Sequence, residues 1–211
     1  MKKEQTVAYL DLLAFSSHVR DNLPDALMAF TTYSKILETK LKDNSLYPPT
    51  SYTDQISKDC AKKMSVDSFS NFLPFSDSIF ITSEEPNLFI KQLGTFVLRC
   101  FKFALNTFDY NTFTKYPTLF RGGIAIGEAI PIELIGIVKG KQQIIPNIAG
   151  EAVVKAVALE QKVKGPRIVF GKDFFEKLDK STKVYISETK EDKDLYELGD
   201  VDKSDAIYCC N

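Results

Sequence analysis

The order in which strands and helices are predicted along this chain restricts it to a small set of folds. Strand-like apolar runs occupy residues 6–10, 68–75, 78–83 and 119–127. Apolar side chains recur at helical spacing over residues 24–42 and from Pro86 to Phe108. The resulting order, β-α-β-β-α-β, is that of the ferredoxin-like arrangement, an antiparallel sheet with the helices on one face. We therefore predict an α/β fold with a ferredoxin-like βαββαβ core.

The rest of the chain predicts a C-terminal αβ extension of this core. It comprises strand-like residues 132–146 with a turn at Lys139–Lys141, a helix over 150–163, a strand over 167–170, a short helix over 172–178, a strand over 183–186 and a hairpin over 195–210. Residues 43–66 are polar and contain Pro48 and Pro49, so they predict an irregular insertion. The sequence has no repeat and no linker, and we predict a single domain over residues 1–211.

Two aspartates interrupt strand-like apolar runs. Asp11 follows the run at residues 6–10, and Asp77 lies between residues 72–76 and 78–81. A lone carboxylate in such a position is costly to bury unless it is paired or binds a cation. Mg²⁺ takes one or two carboxylates and shares the rest of its shell with substrate phosphates. Two aspartates, each at the end of a strand, therefore predict one shared metal site.

The predicted topology brings these aspartates together with Arg121. In a βαββαβ sheet the first strand lies between the third and the fourth and is antiparallel to both. Its C-terminal end, with Asp11, then lies beside the N-terminal ends that carry Asp77 and Arg121. An arginine can form a two-pronged contact with phosphate. A carboxylate pair beside an arginine therefore predicts a site for a nucleotide polyphosphate.

Each of these residues also has a structural interpretation. Asp11 and Asp77 are of a type that is common in turns and helix caps. Arg121 is equally able to form a salt bridge with one of them. Gly122 and Gly123, which follow it, are typical of close packing or of a bulge.

Composition excludes several classes of function. The net charge of -1 gives no basic footprint for nucleic acid. The chain has no apolar run of about 18 residues, and its N-terminus leads into a strand rather than a signal peptide, so we expect a cytoplasmic protein without a membrane partner. His18 is the single histidine and the four cysteines include no Cys-x-x-Cys pair. A His-rich zinc site, a zinc ribbon and a thioredoxin motif are therefore excluded.

Four segments resemble the motifs of the class III nucleotidyl cyclase catalytic domain. Residues 7–16 resemble its first metal motif, Asp-Ile-x-Gly-Phe-[Ser/Thr], and residues 75–78 resemble the Gly-Asp hairpin that carries the second metal aspartate. Residues 121–127 are similar to the Arg-x-Gly-Ile-x-x-Gly strand, and residues 150–160 to the helix Gly-Asp-x-Val-Asn-x-Ala-x-Arg-Leu-Glu. The order and spacing of the motifs match over residues 6–210.

The chain departs from this family pattern at four positions. Val154 and Ala158 stand where the family has the asparagine and the arginine that stabilise the transition state. Leu73 stands where purine cyclases often have a base-binding lysine, and Ala14 stands at the glycine of the first motif. With these departures, its Arg-Gly-Gly strand and its short free-standing domain, the chain looks closer to the small bacterial pyrimidine cyclases of the Pycsar antiphage system.

The resemblance implies a nucleotidyl cyclase, a phosphorus–oxygen lyase. It would convert UTP or CTP to the 3′,5′-cyclic monophosphate and pyrophosphate, as a second messenger in antiphage defence. Asp11, Asp77 and the carbonyl of Leu12 would hold two Mg²⁺ or Mn²⁺ ions, and Arg121 would contact the triphosphate. The other implied contacts are those of the backbone near Phe15 and Ser16 with the β- and γ-phosphates, of Leu73 and Asn147 with the base, and of Lys203 with the triphosphate.

The resemblance also implies a homodimer in which both subunits contribute to each site. Lys203 is equally typical of a solvated hairpin, and Asn147 of a turn after Pro146. Two other functions stay open. One is a catalytically silent, cyclase-like module that binds a nucleotide or a partner, which Val154 and Ala158 favour. The other is a purine cyclase that makes cAMP or cGMP, which Leu73 disfavours.

Overall fold

The computed structural model describes residues 4–43, 68–106, 118–183, 186–190 and 192–198. Most of the predicted insertion at 43–66 and the predicted contact residue Lys203 lie outside these ranges. The strands are β1 (Glu4–Leu12), β2 (Asn71–Phe75), β3 (Ser78–Ser83), β4 (Phe120–Glu128), β5 (Ile130–Val138), β6 (Lys141–Ala149), β7 (Ile168–Gly171), β8 (Ile186–Glu188) and β9 (Leu195–Leu198). The helices are α1 (Phe15–Asp21), α2 (Leu23–Asp43), α3 (Pro86–Asn106), α4 (Glu151–Glu160), α5 (Lys172–Lys177) and α6 (Lys180–Lys183). Within the described ranges, no helix has the length and apolar character needed to cross a membrane.

The main sheet has the order β2-β3-β1-β4-β7-β9-β8. β1 lies between β3 and β4 and is antiparallel to both, whereas β4 and β7 are parallel. This arrangement confirms the predicted α/β fold with its βαββαβ core. The strands β5 and β6 leave the main sheet and form an antiparallel hairpin of their own.

Different helices cover the two faces of the sheet. Ala8, Leu10 and Leu12 of β1 pack with side chains of α2 and α3 in the main hydrophobic core. Val7, which points to the opposite face, packs instead with Ala152 of α4 and with other small side chains. Because side chains alternate along a strand, Tyr9 and Asp11 share this second face with Val7. We call it the α4 face.

A glycine lets α4 lie directly on β4. A Cβ atom at Gly123 would overlap the carbonyl oxygen of Ala156 and would lie 2.8 Å from the amide nitrogen of Glu160. Of the two interpretations of this glycine, close packing is therefore correct. The contact holds the last turn of α4 above the beginning of β4.

Apart from shifts of a few residues at element ends, three predictions differ from the structure. The short helix α1 precedes the predicted helix, because the chain turns at Ala14 immediately after β1. The predicted strand over 183–186 is wrong at its start, because the carboxylate of Asp179 accepts the amide of Thr182 at 2.7 Å and caps α6. The predicted hairpin over 195–210 differs at its first strand, because β9 is paired on one side with β7 and on the other with β8. The rest of this prediction, after residue 198, lies outside the described ranges.

Candidate functional site

One edge of the sheet carries Asp11 and Asp77, the two aspartates that are predicted to bind metal. Asp11, near the end of β1, lies opposite Ser78 of β3 and Arg121 of β4 in the strand register. The amide of Leu12 donates to the carbonyl oxygen of Asp77 at 2.8 Å. The structure thus brings Asp11, Asp77 and Arg121 to the same edge, where the topology predicts them.

Turns in the left-handed conformation adjoin both aspartates. Ala14, between β1 and α1, has a φ of 59°, and Ser76, between β2 and β3, has a φ of 54°. A side chain in this conformation costs about 1 kcal/mol or more, a penalty that glycine avoids. In the motifs that residues 7–16 and 75–78 resemble, these are glycine positions. The two turns therefore keep a glycine-type backbone with other residues in place.

Arg121 lies between two carboxylates. Its Nη2 is 3.3 Å from Oδ2 of Asp11, and its Nε contacts Oε1 of Glu160. Glu160 is only 4% exposed at the C-terminal end of α4. The salt-bridge interpretation of Arg121 is therefore realised in this structure, and it involves a second acid besides Asp11.

Sequence reasoning did not assign Glu160 to the site. In the sequence, Glu160 is distinguished only as the last residue of the motif-like helix over 150–160. Its approach to Arg121 depends on the contact between α4 and β4 at Gly123, which joins residues distant in the chain. A helical pattern alone does not indicate which strand the end of a helix will meet.

The carboxylate cluster, which we define as Asp11, Asp77 and Glu160 around Arg121, carries more negative than positive charge. Burial raises the pKa of Asp11, and the charges of Asp77 and Glu160 raise it further, while Arg121 and a hydrogen bond from Ser78 only partly offset these effects. Such an excess of carboxylate charge fits a bound cation. Across the described ranges, no three His, Cys, Asp or Glu side chains are grouped as a metal site. A cation here would suit the Mg²⁺ pattern of one or two carboxylates completed by other oxygens.

A pair of hydroxyl groups adjoins Asp11 on the α4 face. The hydroxyl oxygen of Tyr9 lies 2.9 Å from Oγ of Ser78, and that Oγ donates to Oδ1 of Asp11 at 3.5 Å. The ring of Tyr9 packs against Phe80, with 4.9 Å between the ring centroids. Burial raises the pKa of Tyr9 above its usual 10.0. Sequence reasoning missed Tyr9, although its position two residues before Asp11 places it on the same face.

The predicted phosphate contacts at Phe15 and Ser16 lie at the start of α1. The ring of Phe15 packs against Phe30, with 5.2 Å between centroids, so this partly buried side chain packs against the hydrophobic core. Ser16 is exposed, and its carbonyl accepts Nε of Arg20 at 3.3 Å. The predicted contact is therefore one for the backbone N–H groups of this turn.

The two residues predicted to contact a base have different surroundings. Leu73 is buried in the apolar cluster of the α4 face, which also contains Ile148. Asn147 precedes Ile148, and its Oδ1 accepts the amide of Ile148 at 2.8 Å. It pairs with Ile132 in the ladder between β5 and β6, so the alternative of a turn residue is wrong.

The outer side of α4 carries the two main departures from the cyclase motifs. Val154 is 70% exposed, and Ala158, one turn further along, is also exposed. Neither side chain is able to donate a hydrogen bond to a phosphate. The helix therefore presents an apolar strip where the family pattern has polar groups.

Asn147, in β6, lies beyond the C-terminal end of β4, whereas the carboxylate cluster lies at the N-terminal end of β4. Arg121 is near the first residue of this strand and Glu128 is the last. At about 3.3 Å per residue, the seven steps between them span about 23 Å. The hairpin that carries Asn147 continues from the far end, so within one chain Asn147 is on the order of 20 Å from Asp11.

The hairpin formed by β5 and β6 exposes apolar side chains on both faces. Cross-strand neighbours share a face, so Ile135, Ile137 and Ile144 lie on one face and Ile132, Leu134 and Ile145 on the other. The exposed apolar side chains of the hairpin are 37–79% exposed: Ile130, Ile132, Leu134, Ile135, Ile137, Val138, Ile144 and Ile145. Among its 20 residues, 130–149, only Glu133, Lys139 and Lys141 are charged. Exposed apolar surface of this extent is typical of an interaction site.

Comparison with known proteins gives a match at the level of structure. No protein-family model matches the chain, and no curated protein matches it. The guanylyl cyclase Cya2 is 13% identical with a TM-score of 0.57, over 94% of this chain and 92% of that one. A bacterial light-regulated adenylyl cyclase is 14% identical with a TM-score of 0.56, over 94% and 91%. A class III adenylyl cyclase-like ATP-binding protein from Pseudomonas aeruginosa is 13% identical with a TM-score of 0.60, over 98% of this chain and 40% of that one.

These similarities establish the fold. The chain has the fold of class III nucleotidyl cyclase catalytic domains, over nearly the whole length of the first two of these structures. The matched cyclases are named for purine nucleotides, adenylyl or guanylyl. At 13–14% identity the comparison assigns a fold and leaves the chemistry to the residues of this chain.

Proposed function

We propose that this protein is a nucleotidyl cyclase that converts UTP or CTP to its 3′,5′-cyclic monophosphate and pyrophosphate. The observation that carries the proposal is the convergence of Asp11, Asp77 and Arg121 at one sheet edge in a chain with the class III cyclase fold. The resemblance to Pycsar cyclases suggests that the product is a second messenger in antiphage defence.

The residues at this edge suit the binding of a metal–triphosphate. Asp11, Asp77 and the carbonyl of Leu12 are hard oxygen donors that would hold two Mg²⁺ or Mn²⁺ ions. When bound, such ions lower the pKa of the ribose 3′-hydroxyl and neutralise charge on the α-phosphate. Arg121 would contact the triphosphate, and the amides at the start of α1 would contact its terminal phosphates. These roles explain why the carboxylate of Asp11 occupies a partly buried position, where burial and the neighbouring acids raise its pKa.

The proposed preference for a pyrimidine rests on Leu73 and Asn147. Leu73 offers an apolar wall in place of the lysine that purine cyclases often have. Asn147 can donate and accept hydrogen bonds with one short amide, which suits the edge of a single ring. A pocket bounded by these two residues would be smaller than a purine pocket and would offer the base fewer polar contacts.

Product analysis with the four common nucleotides tests the activity. We expect that ATP, GTP, CTP and UTP, each incubated with the protein and Mn²⁺, will give a cyclic pyrimidine monophosphate by mass spectrometry, with cUMP favoured over cCMP. Asp11→Asn serves as the inactive control. Formation of cAMP or cGMP would overturn the pyrimidine assignment and leave the cyclase assignment standing.

We also propose that the active form is a head-to-tail homodimer. The distance of about 20 Å along β4 is too long for one nucleotide to reach both Asn147 and Asp11 of the same chain. A second copy in the opposite orientation would bring the hairpin end of one subunit to the carboxylate edge of the other. The exposed apolar faces of the hairpin supply the surface for this contact, and symmetry then gives two sites per dimer.

A charge on the hairpin tests the dimer. We expect that Ile137→Glu, at a side chain 79% exposed, will shift the protein toward a monomer in light scattering and will lower turnover in parallel, because a buried unpaired carboxylate opposes association. Leu27→Glu makes the same change on α2, away from the hairpin, and should leave both properties unchanged. A wild-type protein that is wholly monomeric with nucleotide and Mn²⁺, and still turns over, would contradict the dimer.

A silent nucleotide-binding module is the second candidate. The exposed apolar residues Val154 and Ala158 favour it, and one structure with the same fold is named as an adenylyl cyclase-like ATP-binding protein. The retention of Asp11 and Asp77 argues against it. Binding of nucleotide and metal with no cyclic product from any of the four nucleotides would identify the silent module.

A further inference from the structure

The buried carboxylate of Glu160 has a specific partner. Within the described ranges its ion pair is with Nε of Arg121, and the side chain is almost fully removed from solvent. A buried charge is unfavourable unless it is paired. Glu160 is therefore paired with one cationic group, the guanidinium that also contacts Asp11.

The two acids hold Arg121 from different elements. Glu160 is at the end of α4, which Gly123 locks against β4, so its position is set by backbone packing. Asp11 is at the end of β1, beside the turn at Ala14, and is less buried than Glu160. Of the two contacts, the one with Glu160 is the more rigidly supported.

We propose that Glu160 is a positioning residue that keeps the guanidinium of Arg121 at the site when a polyphosphate replaces Asp11 as its second partner. This inference rests on the proposed phosphate contact of Arg121. Nε stays with Glu160, and Nη2, now paired with Asp11, is the group that changes partner. Arg121 has five N–H donors in a planar fork, so one nitrogen can be held while the others bind a ligand.

When Glu160 is neutralised, a positioning role and a simple charge effect predict opposite changes in anion binding. Glu160 is negative and close to Arg121, so neutralising it should strengthen the binding of any anion at this edge if charge alone matters. If Glu160 instead positions Arg121, the same change should weaken anion binding, because the guanidinium loses its fixed orientation. The direction of the change therefore separates the two effects.

Binding of inorganic tripolyphosphate, measured calorimetrically with Mg²⁺ present, tests the proposal. We expect Glu160→Gln to weaken binding by roughly three- to tenfold, since a neutral acceptor holds a guanidinium less strongly than a carboxylate does. Glu160→Asp keeps the charge and withdraws the carboxylate, and it should also weaken binding. Glu151→Gln, an exposed acid at the other end of α4, is the matched control and should bind as the wild type does.

The outcomes distinguish this proposal from the proposed function. Weaker binding in both Glu160 variants, with melting temperatures close to that of the wild type, supports the positioning role. Stronger or unchanged binding in Glu160→Gln, while Arg121→Gln still weakens it, overturns the positioning role alone. Wild-type protein that does not bind tripolyphosphate, or binds it equally well without Arg121, overturns both the phosphate contact of Arg121 and the role of Glu160.

Discussion

In the proposed cyclase reaction, replacing Asp11 or Asp77 with alanine is expected to abolish formation of the cyclic nucleotide while the fold persists. Metal ligation contributes several kcal/mol to stabilisation of the transition state, so the loss should be about a thousandfold or more. The hydrogen bond from the backbone amide of Leu12 to the carbonyl oxygen of Asp77 does not involve the Asp77 side chain, so it stays in place. Single-turnover assays with Mn²⁺ measure the loss, and Asp11→Asn and Asp77→Asn provide versions with nearly unchanged shape.

The stability of the Asp11 variants should depend on pH in a defined direction. The pKa of Asp11 is raised in the folded protein above its usual 3.8, so its ionised form opposes folding. This penalty is complete above the raised pKa and disappears as the pH falls below 3.8. Asp11→Asn should therefore melt at the same or a higher temperature than the wild type at pH 7 without metal, and the difference should shrink as the pH approaches 4. A variant that melts far lower at pH 7 would show that Asp11 is structural.

Gly123→Ala is expected to cause a large loss of stability. The added Cβ would meet the backbone of Ala156 and Glu160 and the side chain of Leu159, and backbone atoms in a packed helix cannot move aside independently. Overpacking of this kind costs typically 1–3 kcal/mol and occasionally more. We expect at least about 3 kcal/mol, which for a protein of this size lowers the melting temperature by about 10 °C.

A second glycine provides the control for this substitution. A Cβ at Gly136, on the hairpin, would have Ile145 Cδ1 as its near neighbour at 3.4 Å, an ordinary van der Waals distance. Gly136→Ala should therefore leave the melting temperature unchanged or raise it slightly. If Gly123→Ala is tolerated equally well, α4 does not pack on β4 as closely as described, and the position of Glu160 over Arg121 loses its basis.

The meeting of Asp11, Asp77 and Arg121 was predictable because it follows from topology. Once β1 is placed between β3 and β4, the register of an antiparallel sheet brings these ends together whatever the side chains are. Glu160 was not predictable in the same way. Its contact with Arg121 arises from a helix lying on the second face of the sheet, and a local pattern of apolar residues does not specify that contact.

The hairpin of β5 and β6 shows a different limit of sequence reasoning. Residues 132–146 were correctly predicted as strand with a turn at Lys139–Lys141, but not as a separate sheet. Apolar residues on both faces are typical of a strand buried within a large sheet. Here the same pattern occurs in two strands that leave the sheet, where the described part of the chain leaves much of this apolar surface exposed.

The hairpin also has a consequence for the handling and the synthesis of the protein. A two-stranded sheet leaves the outer backbone groups of both strands unpaired, and low charge with exposed isoleucines makes such edges prone to aggregation. Pro131 and Pro146, which lack an N–H donor, interrupt the two edges and limit this tendency. A newly made chain is therefore prone to aggregate for as long as its hairpin stays uncovered. Concentrated preparations in which the hairpin is uncovered should aggregate more readily than the net charge of -1 alone would suggest.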